Sequence, residues 1–142
     1  RSVSRGLGDV YKRQIHVSFL DQGILYDYLQ SGAFEKYIKK ARKFYGEKFN
    51  FAYKCVEKYI PNEYIFGDGG LHLFLKFKNI DTRELLNKCY KKGVIFMPGD
   101  IFYINNEINN TLRLGFSRLS FEEIEKGIKI IGDTIKELPI DD

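Results

Sequence analysis

The chain has 142 residues, 44% of them hydrophobic and 15% aromatic, which supplies one globular domain with its own core and argues against an intrinsically disordered chain. No run approaches the roughly 18 to 20 consecutive apolar residues of a membrane span, and no charged-then-apolar leader opens the chain, so it reads as soluble, intracellular and cytoplasmic. The net charge of +4 sits mostly at the front: Arg1, Arg5, Lys12 and Arg13 against Asp9 give residues 1–14 a charge of +3, leaving +1 for the remainder and no electrostatic footprint for nucleic acid.

Residues 1–14 have no helical or strand periodicity. They resemble translated sequencing-adapter read-through, which implies a non-native segment ahead of a domain covering 15–142. From Val17 to Leu29 the apolar positions Val17, Leu20, Ile24, Leu25, Tyr28 and Leu29 recur at helical spacing until Gly32 interrupts them. A longer helix is predicted from Phe34 to Ile60, with Phe34, Tyr37, Ile38, Ala41, Tyr45, Ala52, Cys55, Val56 and Tyr59 on one face and Pro61 as its stop. Tyr64 to Phe66 reads as a short strand and Gly67-Asp68-Gly69-Gly70 as a turn. Leu71 to Lys78 then alternates Leu71, Leu73, Leu75 and Phe77 inward against His72, Phe74, Lys76 and Lys78 outward.

Asp81 and Glu84 have the spacing of a helix-capping pair, and a helix through about Lys92 should end at Gly93 in a left-handed cap. Val94 to Met97 is predicted as a strand broken by Pro98-Gly99, Asn105 to Asn110 as a polar loop, and Thr111 to Phe116 as the last strand. Ser120 and Glu123 form a Ser-x-x-Glu capping box for a helix carrying Phe121, Ile124, Ile128, Ile131, Ile135 and Leu138, with Pro139 as its stop. Helices followed by strands interleaved with helices predict an α+β fold, a two-layer small domain whose mostly antiparallel sheet is covered by helices and preceded by a long helix.

Few residues have the pattern of a catalytic site. Cys55 and Cys89 lack Cys-x-x-Cys spacing and fall in helical stretches, so both are expected to be buried free thiols. His16 and His72 stand far apart with no ligand at metal spacing, which gives neither a metal site nor a Cys-His pair. No Gly-x-x-x-x-Gly-Lys or Gly-x-Gly-x-x-Gly phosphate loop occurs, and the lysines are expected on solvated helix faces and strand edges. Asp141 and Asp142 read as a solvated tail, and Arg118, just before the last helix, as a structural or surface residue. Arg113 is different. Its strand neighbours Leu112 and Leu114 point to the opposite face, so its planar guanidinium projects away from the core, shaped to grip a carboxylate with two parallel hydrogen bonds. The bland alternative is a surface arginine paired with a carboxylate such as Glu107.

The ordered blocks Gly69-Gly70-Leu71-His72-Leu73, Val94-Ile95-Phe96-Met97-Pro98-Gly99 and Thr111-Leu112-Arg113-Leu114-Gly115-Phe116-Ser117, with the Ser120 to Leu138 helix behind them, resemble the C-terminal small domain of class I/II, fold-type I aminotransferases that use pyridoxal phosphate. The resemblance covers most of Ile15 to Leu138. It implies that Arg113 clamps the α-carboxylate of the substrate and that Pro98-Gly99 with Phe102-Tyr103 shapes the domain at the cleft; Gly69 and Gly70 read either as cleft lining or as a plain turn between two strands. No lysine stands in the family's Ser-x-x-Lys context, so the Schiff-base lysine, and with it the cofactor, is expected on a large domain absent from this chain. The fragment alone would then be inactive and its parent a homodimer. Gly70-Leu71-His72, Leu114-Gly115-Phe116 and Phe19-Leu20-Asp21-Gln22 also resemble the aminotransferase-like sensor domain of MocR-type regulators of the GntR family, whose winged helix binds DNA. A third reading is an unrelated α+β interaction domain.

Overall fold

The computed structural model describes residues 18–61, 64–67, 69–104 and 109–138, and it divides after Ala41 into two compact units. The predictions made for residues 1–14, His16, Val17, Glu107, most of the Asn105 to Asn110 loop, Pro139, Asp141 and Asp142 lie outside the described residues. No helix among the described residues is long and apolar enough to cross a membrane.

The first unit contains helix α1 (Phe19–Gln30) and the opening of helix α2 (Ala33–Tyr59). Ser18 caps α1 by accepting a 3.5 Å hydrogen bond from the Asp21 N–H. Gly32 takes φ 69, the left-handed conformation that lets the chain turn between the helices. No residue of α1 is buried: Phe19, Leu20, Ile24 and Leu25 are all exposed. The apolar spacing predicted the helix correctly, yet none of its apolar side chains is buried among the described residues.

The second unit is a sheet with helices packed on one face. Strands β1 (Tyr64–Phe66), β2 (His72–Lys76), β3 (Met97–Pro98) and β4 (Thr111–Gly115) form an antiparallel sheet in the order β1-β2-β4-β3. Leu73 and Leu75 of β2, with Leu112 and Leu114 of β4, alternate into a core shared with Ala52, Cys55 and Val56 of α2, Leu85 and Cys89 of helix α3 (Thr82–Lys91), and Ile124, Ile128, Ile131 and Ile135 of helix α4 (Phe121–Ile135). The period of two in the strands and of three to four in the helices both point at this core, as the sequence requires. Cys55 and Cys89 are buried and free, as expected.

The Ser120 box forms in full and the Asp81 pair in half, since the Glu84 carboxylate pairs with Lys88 at 3.0 Å. Asp81 accepts from the N–H groups of Arg83 at 2.8 Å and Glu84 at 3.1 Å, and Gly93 closes α3 at φ 80. At α4 the Ser120 hydroxyl accepts from the Glu123 N–H at 3.2 Å while the Glu123 carboxylate accepts from the Ser120 N–H at 2.7 Å, a complete capping box.

Several boundaries differ from the sequence reading. Val94 to Phe96 are not a strand, because the Val94 N–H is spent on the Cys89 carbonyl in closing α3, and pairing begins only at Met97. Pro98 does not break β3; it pairs with Leu112 on an edge strand, where a missing N–H is tolerated. Leu71, predicted inward, is exposed because it precedes the first rung, His72 to Gly115. The last strand and last helix stop at Gly115 and Ile135, short of Phe116 and Leu138, although both of those side chains still pack on the core. A 3-10 turn over Gly99–Phe102 went unpredicted.

Candidate functional site

The sheet face turned away from the helices carries Tyr64 and Phe66 of β1, His72, Phe74 and Lys76 of β2, Arg113 of β4 and Met97 of β3, since each is out of phase with the buried leucines. Arg113 stands opposite Phe74 on one side and Met97 on the other. Its guanidinium carbon lies 5.0 Å from the centroid of the Phe102 ring, and its Nη2 donates to the Met97 sulfur at 2.7 Å. A cation over an aromatic face and a weak thioether acceptor hold the fork without neutralising it. Among the described residues no carboxylate lies within ion-pair distance of Arg113.

Aromatic rings continue from this arginine across the sheet. Phe102 meets Phe74 at 5.9 Å, Phe74 meets Phe66 at 6.3 Å, and Phe66 meets Tyr64 at 5.9 Å. Phe102, Phe66 and Tyr64 are each about half exposed. The surface around Arg113 combines its permanent cation with an apolar floor, suited to a carboxylate-bearing molecule with an apolar body.

The 3-10 turn that presents Phe102 is tied down at two points. Asp100 is buried and accepts from Arg83 Nε at 2.6 Å, linking the turn to α3. Gly99 sits so close to Thr111 that an added Cβ would overlap the threonine hydroxyl. Only glycine fits there, which gives the Pro98-Gly99 pair a packing reason.

Gly69 and Gly70 lie in the β1–β2 turn at φ 156 and 92, beyond the rung of His72 with Gly115. Each would have open space around an added Cβ, so the torsions, not a close neighbour, call for glycine. The register leaves them off the end of the ladder, while Arg113 pairs two residues further in. Arg118 and His72 are exposed, in keeping with their sequence reading.

One lysine departs from the expectation of solvated lysines. Lys48 is buried, and its ammonium donates to the Ser117 carbonyl at 3.0 Å and the Leu119 carbonyl at 2.6 Å, with the Phe44 ring 4.8 Å away. It therefore pins the turn between β4 and α4. A signal existed in the sequence: Lys48 is in helical phase with Ala52, Cys55 and Val56, on the face that becomes core.

Pyridoxal phosphate requires a lysine free to form an imine and a cradle for its phosphate. Lys48, the one buried lysine among the described residues, has its ammonium committed to two carbonyls, and the described residues do not fit the cofactor by themselves. A cavity of about 60 Å³ on the helix side of the sheet is lined mainly by Leu73, Leu114, Ile124, Ile128 and Ile131. Its polar lining is Glu123, already engaged in the capping box, and Arg113 is not part of it.

No family model matches the chain. An uncharacterized aminotransferase of Saccharolobus solfataricus is 34% identical over 133 residues, covering 90% of this chain and 33% of that protein. The crystal structure of LysN, an alpha-aminoadipate aminotransferase of Thermus thermophilus complexed with N-(5'-phosphopyridoxyl)-L-leucine, superposes with a TM-score of 0.75 at 26% identity, covering 89% of this chain and 33% of that one. YdfD, an uncharacterized HTH-type transcriptional regulator of Bacillus subtilis, is 27% identical over 124 residues, covering 85% of this chain and 25% of the regulator. The chain thus spans about a third or less of the length of the curated relatives it matches. It is a homologue of the C-terminal portion of pyridoxal-phosphate-dependent aminotransferases, a portion that the helix-turn-helix regulators also match.

Proposed function

We propose that this chain is the substrate-carboxylate-binding portion of a pyridoxal-phosphate-dependent aminotransferase that interconverts an amino acid and a 2-oxo acid. The observation that carries the proposal is the placement of Arg113. It stands on the open face of the sheet, braced by Phe102 and Met97, with no carboxylate in ion-pair range among the described residues. Such a fork takes an α-carboxylate bidentately and fixes the orientation of the neighbouring Cα before any bond is broken. The apolar rings beside it shed water from that ion pair and strengthen it. Gly69 and Gly70 would line the same cleft from the β1–β2 turn. The cofactor, which when bound withdraws electrons from the substrate Cα, would be held by residues outside those described. By itself the chain is then inactive, and the complete enzyme is a cytoplasmic homodimer.

The test is kinetic, on the complete polypeptide that carries this chain. Arg113→Ala is expected to lower kcat/KM for amino-acid deamination by roughly thirtyfold to several-thousandfold, the effect of truncating one partner of a buried charge pair. Arg113→Lys should recover only part, since an ammonium cannot form the bidentate grip. Wild-type kinetics in Arg113→Ala would sink the assignment.

The match to helix-turn-helix regulators supports one alternative, in which the same arginine reads the carboxylate of an effector in a MocR-type sensor. Ligand-dependent DNA binding without turnover would distinguish it.

A further inference from the structure

Met97 is the only methionine of the chain, and it stands on edge strand β3 opposite Arg113, 41% exposed. Its sulfur is 2.7 Å from Arg113 Nη2. A thioether accepts a hydrogen bond weakly, so at present the guanidinium is steadied but still available to a stronger acceptor. A sulfoxide is that stronger acceptor, and its oxygen would be built onto the very atom the guanidinium already touches.

We propose that Met97 is an oxidation site whose sulfoxide occupies the guanidinium of Arg113 and withdraws it from carboxylates. The oxidant is a hydroperoxide. With hydrogen peroxide the sulfur lone pair attacks one peroxide oxygen, a sulfur–oxygen bond forms as the oxygen–oxygen bond breaks, and the departing hydroxide takes up the remaining proton as water. Sulfur loses two electrons and the peroxide gains them. Three features favour this site. An edge strand with a half-exposed side chain gives the peroxide access. The neighbouring cation polarises the new sulfur–oxygen bond through a charge-assisted hydrogen bond. The Phe102 ring lies against the guanidinium at 5.0 Å, which limits how far the fork can swing away from the sulfoxide. Reduction by methionine sulfoxide reductases restores the thioether, so the switch is reversible. Its consequence for substrate rests on the carboxylate-binding role proposed above; the pairing of Met97 with Arg113 does not.

The test uses the full chain, hydrogen peroxide as oxidant, and phenylglyoxal labelling of arginines read by peptide mass mapping, with exposed Arg118 as the internal comparison. Peroxide should add one oxygen atom to Met97 and lower Arg113 labelling by about tenfold relative to Arg118, the scale of one charged hydrogen bond. Methionine sulfoxide reductase treatment should restore the labelling. Met97→Leu, which retains both cysteines, should label identically with and without peroxide. Met97→Gln, which presents an amide oxygen permanently, should label Arg113 poorly before any peroxide is added. Resistance of Met97 to peroxide doses that oxidise a free methionine peptide would overturn the proposal, as would an oxidised chain with unchanged or increased Arg113 labelling. Added 3-phenylpropionate reports separately on the carboxylate role. If it fails to protect Arg113 in the unoxidised chain, the proposed function falls, while the sulfoxide result is still read from the labelling alone.

Discussion

Lys48 shows how much one side chain can organise. Its ammonium satisfies the carbonyls of Ser117 and Leu119, two residues of the turn that carries the chain from the strand of Arg113 to the cap of α4. Replacing it with methionine keeps most of the volume and leaves both carbonyls without that donor. The cost of part-buried acceptors left without that donor predicts a loss of about 1 kcal/mol in urea-unfolding free energy for Lys48→Met. Unchanged stability would mean that water replaces the ammonium at no cost. The orientation of Arg113 was legible because alternation along Thr111 to Gly115 fixes which way it points. Its bracing was not, because Met97 and Phe102 reach it only through strand pairing and the 3-10 turn, which no local pattern encodes.

At the scale of elements, Gly132 and the Ser120 capping box set the packing. A Cβ added at Gly132 of α4 would overlap the Tyr59 carbonyl at the end of α2, so backbone would have to move, and Gly132→Ala should destabilise the chain by roughly 1 to 3 kcal/mol by thermal or urea unfolding. An unchanged midpoint would show that the helices separate freely. The capping box makes a pH prediction. The Ser120 backbone N–H holds the Glu123 carboxyl below its ordinary value, and the Tyr59 hydroxyl, 2.7 Å from the carboxylate, does the same for Glu125. A lowered value in the folded state means the unfolded chain binds protons first. This stabilisation is complete above the ordinary carboxylate value and is lost as pH falls through the lowered folded values. Glu123→Gln and Glu125→Gln should each flatten the acid side of the stability curve, read from unfolding midpoints across that range; a curve parallel to wild type would contradict the assignment. Both N-caps were readable from sequence because Asp81 and Ser120 accept from backbone N–H groups within one turn. The short extent of β3 was not, since it depends on the Val94 N–H being diverted to close α3.

For the whole molecule, the two-layer α+β arrangement of sheet and helices was legible from periodicity, because its strands and helices turn apolar sides to one core; the division after Ala41 was not, since the sequence reading drew one domain over 15–142. In α1 the apolar residues have no buried counterpart among the described residues, a condition periodicity cannot report. Cys55 and Cys89 probe the core directly. Burial pushes both thiols above their ordinary values, so each should resist iodoacetamide in native buffer and react in step with global unfolding in urea. Labelling at the rate of a free thiol without denaturant would mean that the core opens locally.

The functional reading reduces to whether Arg113 captures a carboxylate. The most direct measurement is a nuclear magnetic resonance titration of the 15N-labelled chain with 3-phenylpropionate, following the arginine side-chain signals. Saturable movement of the Arg113 signal, with Arg42, Arg83 and Arg118 nearly still, is the expected result. A stationary Arg113, or equal drift of all four, would contradict it.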